Sequence, residues 1–163
     1  MDSLNIILEK SDKAYSQDEK NAMAEEKNTR YRQLLNQMSP ADLSGDVKRT
    51  LDTLRARGLK LAIGSSSKNT PFILERMELD GFFDAVADGN CITHSKPNPE
   101  VFLKAAEMLG LKPEQCVVVE DAHAGVEAAK AGGFACAAMG DAKEDARAAY
   151  HLGKLSDLLG YVG

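Results

Sequence analysis

Apolar residues follow one pattern of spacing before residue 44 and another after it. Before it, the charged stretches LNIILEKSDKAY and KNAMAEEKNTRYRQLLNQM place apolar residues three and four positions apart. That spacing is typical of amphipathic helices. We therefore predict a helical region over residues 1–43 and a differently built domain over residues 44–163.

Short apolar runs alternate with helical patterns in the second region. The predicted strands lie in four stretches, LKLAIGSSS, FFDAVADG, CVVVEDA and FACAAMG. Strands that alternate with helices predict a parallel α/β sheet with crossover helices. After Gly140 the remaining sequence has a mostly helical pattern.

Net charge, the length of apolar runs and the cysteines limit the partners and the cellular compartment that the sequence predicts. The net charge of -5 disfavours a nucleic-acid binder, which needs a basic face. Membrane-spanning length is not reached by any apolar run, and the first residues lack the pattern of a signal peptide. The thiols of Cys91, Cys116 and Cys136 form no CxxC pair. We expect a cytoplasmic protein with unpaired thiols, and neither nucleic acid nor membrane as partner.

Residues with phosphate and metal chemistry follow three of the predicted strands. Ligands in open parallel sheets bind beyond the carboxyl ends of the strands. Ser65 and nearby N–H groups could bind phosphate oxygens, Lys96 could neutralise phosphate charge, and Glu120 with Asp121 could hold Mg²⁺. Each residue alone has an ordinary structural explanation, such as Asp121 capping the next helix. Their order along one sheet favours a phosphoryl-transfer site.

The same stretches resemble a known superfamily. LKLAIGSSSKN, SKPNPEVFLKAAEMLG and VVVEDAHAGVEAAKAGG resemble the second, third and fourth motifs of the haloacid dehalogenase (HAD) superfamily. Within it, SSSKNTPFILERMELDGFFDAVADG and KNTRYRQLLNQMSPADL resemble the β-phosphoglucomutases. The resemblance implies a HAD-like Rossmannoid three-layer core with a parallel sheet, preceded by a partial α-helical cap.

The resemblance also implies an activity and roles for the residues. The activity is Mg²⁺-dependent interconversion of β-glucose 1-phosphate and glucose 6-phosphate, through an aspartyl-phosphate and a bisphosphate intermediate. Ser65 and Lys96 would be catalytic, and Glu120 and Asp121 would ligate Mg²⁺. The residues that would bind the substrate are Ser66, Ser67, Lys68, Asn69, Lys27 and Asn28. For Lys27, a solvated position on a polar helix is the competing interpretation.

One element of the family pattern is not found. Its nucleophilic aspartate and its acid/base aspartate follow the first strand, but no aspartate before Ser65 follows an apolar strand. The resemblance places that strand between those ending at Ser65 and Glu120, so two sheet edges would face each other. We expect direct pairing of these edges, self-association or a complementing chain.

These departures leave several functions open. We expect no turnover from the chain alone. The alternatives are a HAD-type sugar-phosphate phosphatase and a non-catalytic remnant that binds a ligand. The family also has a short strand near the C-terminus, for which Ala149, Tyr150 and His151 are candidates.

Overall fold

The computed structural model describes residues 16–163, and its contacts divide the chain into two units after Met38. In the first unit, helix α1 spans Gln17–Leu35 and confirms the second predicted helix. A capping box fixes its start, because the Ser16 hydroxyl accepts a hydrogen bond from the Glu19 N–H at 3.2 Å and the Glu19 carboxylate accepts one from the Ser16 N–H at 2.8 Å. The helix predicted over residues 4–15 lies outside the described residues.

The second unit alternates strands and helices, as the sequence predicts. Its α-helices are α2 (Gly45–Ala56), α3 (Thr70–Arg76), α4 (Glu100–Leu109) and α5 (His123–Ala131). Its strands are β1 (Ala62–Gly64), β2 (Ala85–Ala87), β3 (Val117–Glu120), β4 (Ala135–Ala138) and β5 (Tyr150–His151). Short 3₁₀ helices span Pro40–Asp42, Pro113–Gln115, Gly140–Ala142 and Leu155–Gly160.

All strands of the second unit pair in parallel, in two groups. β1 pairs with β2, with Ile63 opposite Val86. β4 pairs with β3 on one side and with β5 on the other. In the described part of the chain β1 and β3 do not pair, so the direct closure considered from the sequence does not occur there.

Two apolar clusters cover opposite faces of these strands. Val118 packs into a cluster with Val101 and Phe102 of α4. Val117 and Val119 pack into a second cluster, which contains Leu54 of α2 and Leu158 near the C-terminus. Alternate residues of one strand point to opposite faces, so the strands lie between two layers. This arrangement confirms the three-layer α/β class.

The C-terminal region differs from the predicted mostly helical pattern. The described chain has no α-helix after α5, and Tyr150 and His151 instead pair with Ala137 and Ala138 as strand β5. Leu152 directly follows and is fully buried. The apolar residues of this short stretch therefore pack at the sheet, although the local sequence predicted a helix. The candidate extra strand is confirmed, whereas the helical prediction is wrong.

The remaining sequence expectations concern thiols and membrane spans. All three cysteines are free, and burial raises the pKa of the Cys136 thiol to about 11. Among residues 16–163, none of the helices combines the length and apolar character that crossing a bilayer requires.

Candidate active site

The loop after β1 is built from hydroxyl groups that hold backbone N–H groups. The Ser65 Oγ accepts a hydrogen bond from the Ser67 N–H at 3.2 Å, and the Ser67 Oγ accepts one from the Asn69 N–H at 3.1 Å. The Thr70 hydroxyl donates to the Ser67 carbonyl at 2.9 Å. These bonds order the loop at the start of α3, while Lys68 is exposed.

Ser66 differs from its neighbours in this loop. Its hydroxyl is buried and has no hydrogen-bond partner. A buried hydroxyl without a partner costs free energy, so such a group is uncommon unless a ligand or water uses it. The Ser66 side chain is thus a candidate donor for a phosphate oxygen.

Gly89 fixes this loop from the end of β2. Its N–H donates to the Ser67 carbonyl at 3.1 Å. A Cβ atom at Gly89 would lie 2.4 Å from the Ser66 carbonyl oxygen and 2.8 Å from the Lys68 nitrogen. Backbone atoms cannot move aside as a flexible side chain can, so the loop requires glycine here.

We expect Gly89→Ala to displace the serine loop and to lower the free energy of unfolding by about 2 kcal/mol, as overpacking does. Urea denaturation followed by circular dichroism measures the change. Gly45→Ala is the matched control, because its Cβ would meet only the Arg49 guanidinium tip, at 3.1 Å. A Gly89→Ala variant as stable as this control would contradict the close contact.

Lys96 and Glu120 form an ion pair between residues far apart in sequence. The Lys96 Nζ donates a hydrogen bond to the Glu120 Oε1, and it lies 5.3 Å from the centre of the Phe102 ring. The other Glu120 oxygen accepts a hydrogen bond from the Ala122 N–H at 3.2 Å. Since the Glu120 side chain is only 8% exposed, Lys96 supplies the charge that compensates its burial.

Phe102 links this ion pair to the end of β1. A Cβ atom at Gly64 would lie 2.7 Å from the Phe102 ring, so the last residue of β1 packs against the same ring that Lys96 covers. The carboxyl ends of β1 and β3 therefore approach Phe102 together. This brings the serine loop, Lys96 and Glu120 to one edge of the second unit.

Asp121 has a different environment from Glu120. It is exposed, and within residues 16–163 no hydrogen bond or ion pair involves its carboxylate. The predicted alternative, in which Asp121 caps α5, is not observed, because Ala122 occupies the N-cap position without a side-chain cap. The Asp121 carbonyl instead accepts a hydrogen bond from the Ala142 N–H at 3.0 Å.

The donor chemistry of this acid pair fits Mg²⁺, but the number of donors is small. Carboxylate oxygens are the ligands that Mg²⁺ takes in proteins. Both Glu120 oxygens already accept hydrogen bonds, and residues 16–163 contain no group of three acidic, histidine or cysteine side chains arranged for a metal. Glu120 and Asp121 thus supply two carboxylates at this position, fewer oxygen ligands than Mg²⁺ takes.

Lys27 and Asn28 lie in the first unit, on α1, where both are exposed. Their predicted contact with a sugar stays a prediction.

The loop that carries Lys96 is held by a carboxylate that the sequence analysis did not single out. Glu100, at the start of α4, accepts hydrogen bonds from the N–H groups of Thr93 and His94, at 2.9 and 2.8 Å. These bonds, with a smaller contribution from the His94 ring, lower the pKa of the Glu100 carboxyl. Glu100 therefore fixes the conformation of the loop just before Lys96.

A second set of charges, also unforeseen, holds the start of α5. The buried Asp145 carboxylate accepts hydrogen bonds from the Arg147 guanidinium at 2.7 and 2.9 Å, and it lies 2.7 Å from the His123 Nδ1. Arg147 also contacts Glu127 at 2.9 Å. The hydrogen bonds from Arg147, and then that of His123, hold the pKa of the Asp145 carboxyl well below its usual range. No local spacing signals this cluster, because residues 123 and 145 meet only in the fold.

We expect Asp145→Asn to lose stability at neutral pH and to resemble the unmodified chain in strong acid. A carboxyl whose pKa is lower in the folded protein than in the unfolded chain stabilises the protein at pH values above its unfolded pKa, which is 3.8 for Asp145. This contribution is lost as the pH falls from that value through the lower, folded pKa. Urea denaturation from neutral pH to strong acid, with both chains, should show the difference shrinking below about pH 4. A difference that stays constant with pH would contradict this role of Asp145.

Comparison with known proteins identifies the class. Residues 2–133 match the family of haloacid dehalogenase-like hydrolases, and the chain belongs to that family. It is 34% identical over 135 residues to a β-phosphoglucomutase of Bacillus subtilis. The aligned region covers 83% of this chain and 60% of the relative. It is 37% identical over 114 residues to the fructose-1-phosphate phosphatase YqaB of Escherichia coli, covering 69% of this chain and 59% of that protein.

A solved structure gives the same result for the fold. The crystal structure of a β-phosphoglucomutase from Clostridium difficile superposes with a TM-score of 0.87 and 31% identity, over 96% of this chain and 71% of that one. The resemblance to the HAD superfamily, with β-phosphoglucomutases among the relatives, is therefore confirmed. The chain spans about three fifths of the length of the two relatives above, at 60% and 59%.

Proposed function

We propose that this chain provides the phosphate-binding and charge-balancing part of a β-phosphoglucomutase-type site, which interconverts β-glucose 1-phosphate and glucose 6-phosphate. The Lys96–Glu120 pair carries the proposal, because it sets a cation beside the serine loop at the carboxyl ends of β1 and β3. The relatives named as β-phosphoglucomutases support the sugar phosphate as substrate.

The proposed roles follow from the positions of the groups. Ser65 and Ser66 would bind the transferring phosphoryl group, and the unpartnered Ser66 hydroxyl supports this role. Lys96 would balance the charge of that group. The residues proposed to bind the rest of the substrate are Ser67, Lys68, Asn69, Lys27 and Asn28.

We propose Mg²⁺ as the cofactor, held by Asp121 and Glu120. Asp121 is exposed, whereas Glu120 already pairs with Lys96. When bound, Mg²⁺ would offset the negative charge of the phosphoryl oxygens. Because two carboxylates leave most of the coordination positions to water or phosphate, we expect weak affinity for Mg²⁺ alone.

The nucleophile distinguishes the candidate functions. In the mutase proposal an aspartate forms an aspartyl-phosphate, and none of the aspartates in residues 16–64 lies in or directly after a strand. Phosphoryl transfer to water would instead make the protein a sugar-phosphate phosphatase, an alternative that the likeness to YqaB supports. The third candidate is a non-catalytic protein that binds sugar phosphate.

The proposed compartment is the cytoplasm, which the three free thiols support.

We expect the 163-residue chain to bind β-glucose 1-phosphate and to form no glucose 6-phosphate by itself. Calorimetry measures binding, and a coupled assay with a glucose bisphosphate primer and Mg²⁺ measures turnover. The Lys96→Ala, Asp121→Ala double variant is the control, and it should bind the sugar phosphate much more weakly. Glucose 6-phosphate above this control would show mutase activity in the chain, and released inorganic phosphate would show a phosphatase. Equal binding by both proteins would contradict the proposed site.

A further inference from the structure

The loop after β2 contacts the serine loop through a side chain as well as through Gly89. The Asn90 Nδ2 donates a hydrogen bond to the Lys68 carbonyl at 3.1 Å, between residues 22 positions apart in the sequence. Asn90 is exposed, so its amide has water as an alternative partner. A bond to one particular carbonyl therefore requires that the loop around Asn90 is itself fixed.

The turn that carries Asn90 is closed on the buried residue Asp88. The Asp88 Oδ1 accepts a hydrogen bond from the Asn90 N–H at 2.8 Å. The Asp88 carbonyl accepts one from the Cys91 N–H at 3.1 Å, and the Asp88 N–H donates to the Cys91 Sγ at 3.3 Å. These bonds fix the backbone of Asn90, which directs its amide to Lys68.

Both polar groups of one peptide unit in the serine loop are held by side chains. The carbonyl of the Lys68–Asn69 peptide accepts from Asn90, and its N–H donates to the Ser67 Oγ at 3.1 Å. A peptide unit is planar, so fixing its C=O and its N–H together prevents it from turning. The orientation of this unit sets the direction in which the exposed Lys68 side chain leaves the backbone.

We propose that Asn90 is a positioning residue which, through Lys68, gives the site its preference for a ligand with a second phosphate group. The inference rests on the proposed function, in which a sugar is phosphorylated at position 1 or 6 and passes through a bisphosphate. One phosphate would lie at Ser66 and Lys96, and the Lys68 ammonium would meet the other. A lysine side chain loses rotamer freedom when it binds, and a fixed backbone at its base lowers that cost.

Binding of two ligands to the 163-residue chain tests this role. Calorimetry compares glucose 1,6-bisphosphate with inorganic phosphate, which has no second phosphate group. Asn90→Ala should bind the bisphosphate about fivefold more weakly, as loss of one hydrogen bond predicts, and inorganic phosphate within about twofold of the unmodified chain. Equal weakening for both ligands would show a general loss of structure and would overturn the proposal.

Asn98→Ala is the matched control for this comparison. Asn98 is also an exposed asparagine in a loop, but its Oδ1 accepts a hydrogen bond from the Glu100 N–H at 3.0 Å. This variant should keep the preference of the unmodified chain for the bisphosphate. A loss of preference as large as that of Asn90→Ala would contradict a specific role of Asn90.

A double-mutant cycle tests whether Asn90 acts through Lys68. In a Lys68→Ala background, Asn90→Ala should change the affinity for glucose 1,6-bisphosphate by less than about twofold, because the group that Asn90 positions is absent. A fivefold loss in this background as well would mean that Asn90 acts on another group, and would overturn the proposal.

Solvent exchange measured by NMR tests the positioning without any ligand. In Asn90→Ala the Lys68–Asn69 peptide is free to turn, so the Asn69 amide should exchange severalfold faster. The Ser67 amide, which donates to the Ser65 Oγ at 3.2 Å, should exchange as before. Unchanged exchange of the Asn69 amide would show that Asn90 does not fix this peptide, and would overturn the proposal.

Failure of this inference is distinguishable from failure of the proposed function. If the unmodified chain binds inorganic phosphate and glucose 1,6-bisphosphate equally well, the second phosphate makes no favourable contact. That result overturns the inference and leaves the proposed phosphoryl site at Ser66 and Lys96 intact. A chain that binds neither ligand contradicts the proposed function and the inference together.

Discussion

Gly125→Ala lowers the free energy of unfolding by about 3 kcal/mol, although alanine is the better helix former by about 1 kcal/mol. A Cβ atom at Gly125 would lie 2.0 Å from the Glu120 carboxyl carbon and 2.1 Å from its Oε2. The Glu120 side chain is almost completely buried and is held by Lys96 on one oxygen and by the Ala122 N–H on the other. This side chain cannot move aside without losing these contacts, so the free-energy cost of the steric clash exceeds the gain from the higher helix propensity of alanine.

A double-mutant cycle isolates this contact. In a Glu120→Ala background, Gly125→Ala should cost little and even gain stability through helix propensity. Urea denaturation of the four chains provides the values. Gly153→Ala controls for glycine replacement in general, since its Cβ would meet only a side-chain oxygen of Asp157, at 3.2 Å. An equal cost of Gly125→Ala in both backgrounds would place the clash elsewhere.

Lys96→Met has the second large effect. It keeps the length of the side chain but removes the cation, and Glu120 is left as a buried carboxylate without an ion-pair partner. Loss of one partner of a buried pair costs about 3–5 kcal/mol, and since Lys96 is 21% exposed we expect about 2–3 kcal/mol. Denaturation in urea at neutral pH measures this loss.

Two further variants make the interpretation specific. Adding Glu120→Gln to Lys96→Met removes the uncompensated charge, so the double variant should recover part of the stability. Lys48→Met breaks an exposed ion pair, with Asp52 at 2.7 Å, and should cost less than about 1 kcal/mol. If Lys96→Met were as mild as Lys48→Met, the charge of Lys96 would not be needed to bury Glu120.

Local sequence patterns predicted most of the second unit correctly. The strand that ends at Glu120 is visible as three successive valines, and the helix after Asn98-Pro99 as an apolar stripe that ends before Gly110. Such patterns report burial directly, because strands and helices repeat their buried positions at fixed intervals. The error after Gly140 has the same origin: strand β5 is only two residues long and has no repeat to detect.

The sequence singled out candidate residues for the site but not the contacts among them. Ser65, Lys96 and Glu120 are candidates because ligands in parallel sheets bind beyond the carboxyl ends of the strands, and this rule needs only the order of elements. Phe102 and Gly125 were not found. One is an apolar residue in a helix and the other a small residue near a helix start, so neither is unusual in the sequence alone.

The sequence by itself thus determined the class of fold, the order of its elements and the residue types at the strand ends, because these depend on neighbours within a few positions. Tertiary structure alone decided that Lys96 compensates Glu120, that Gly125 leaves room for that carboxylate and that Asp145 holds the start of α5. It also decided that β1 and β3 do not pair within the described residues, so that the described strands form two sheets. These features depend on packing between residues far apart in the chain, where burial makes a single charge or methyl group decisive.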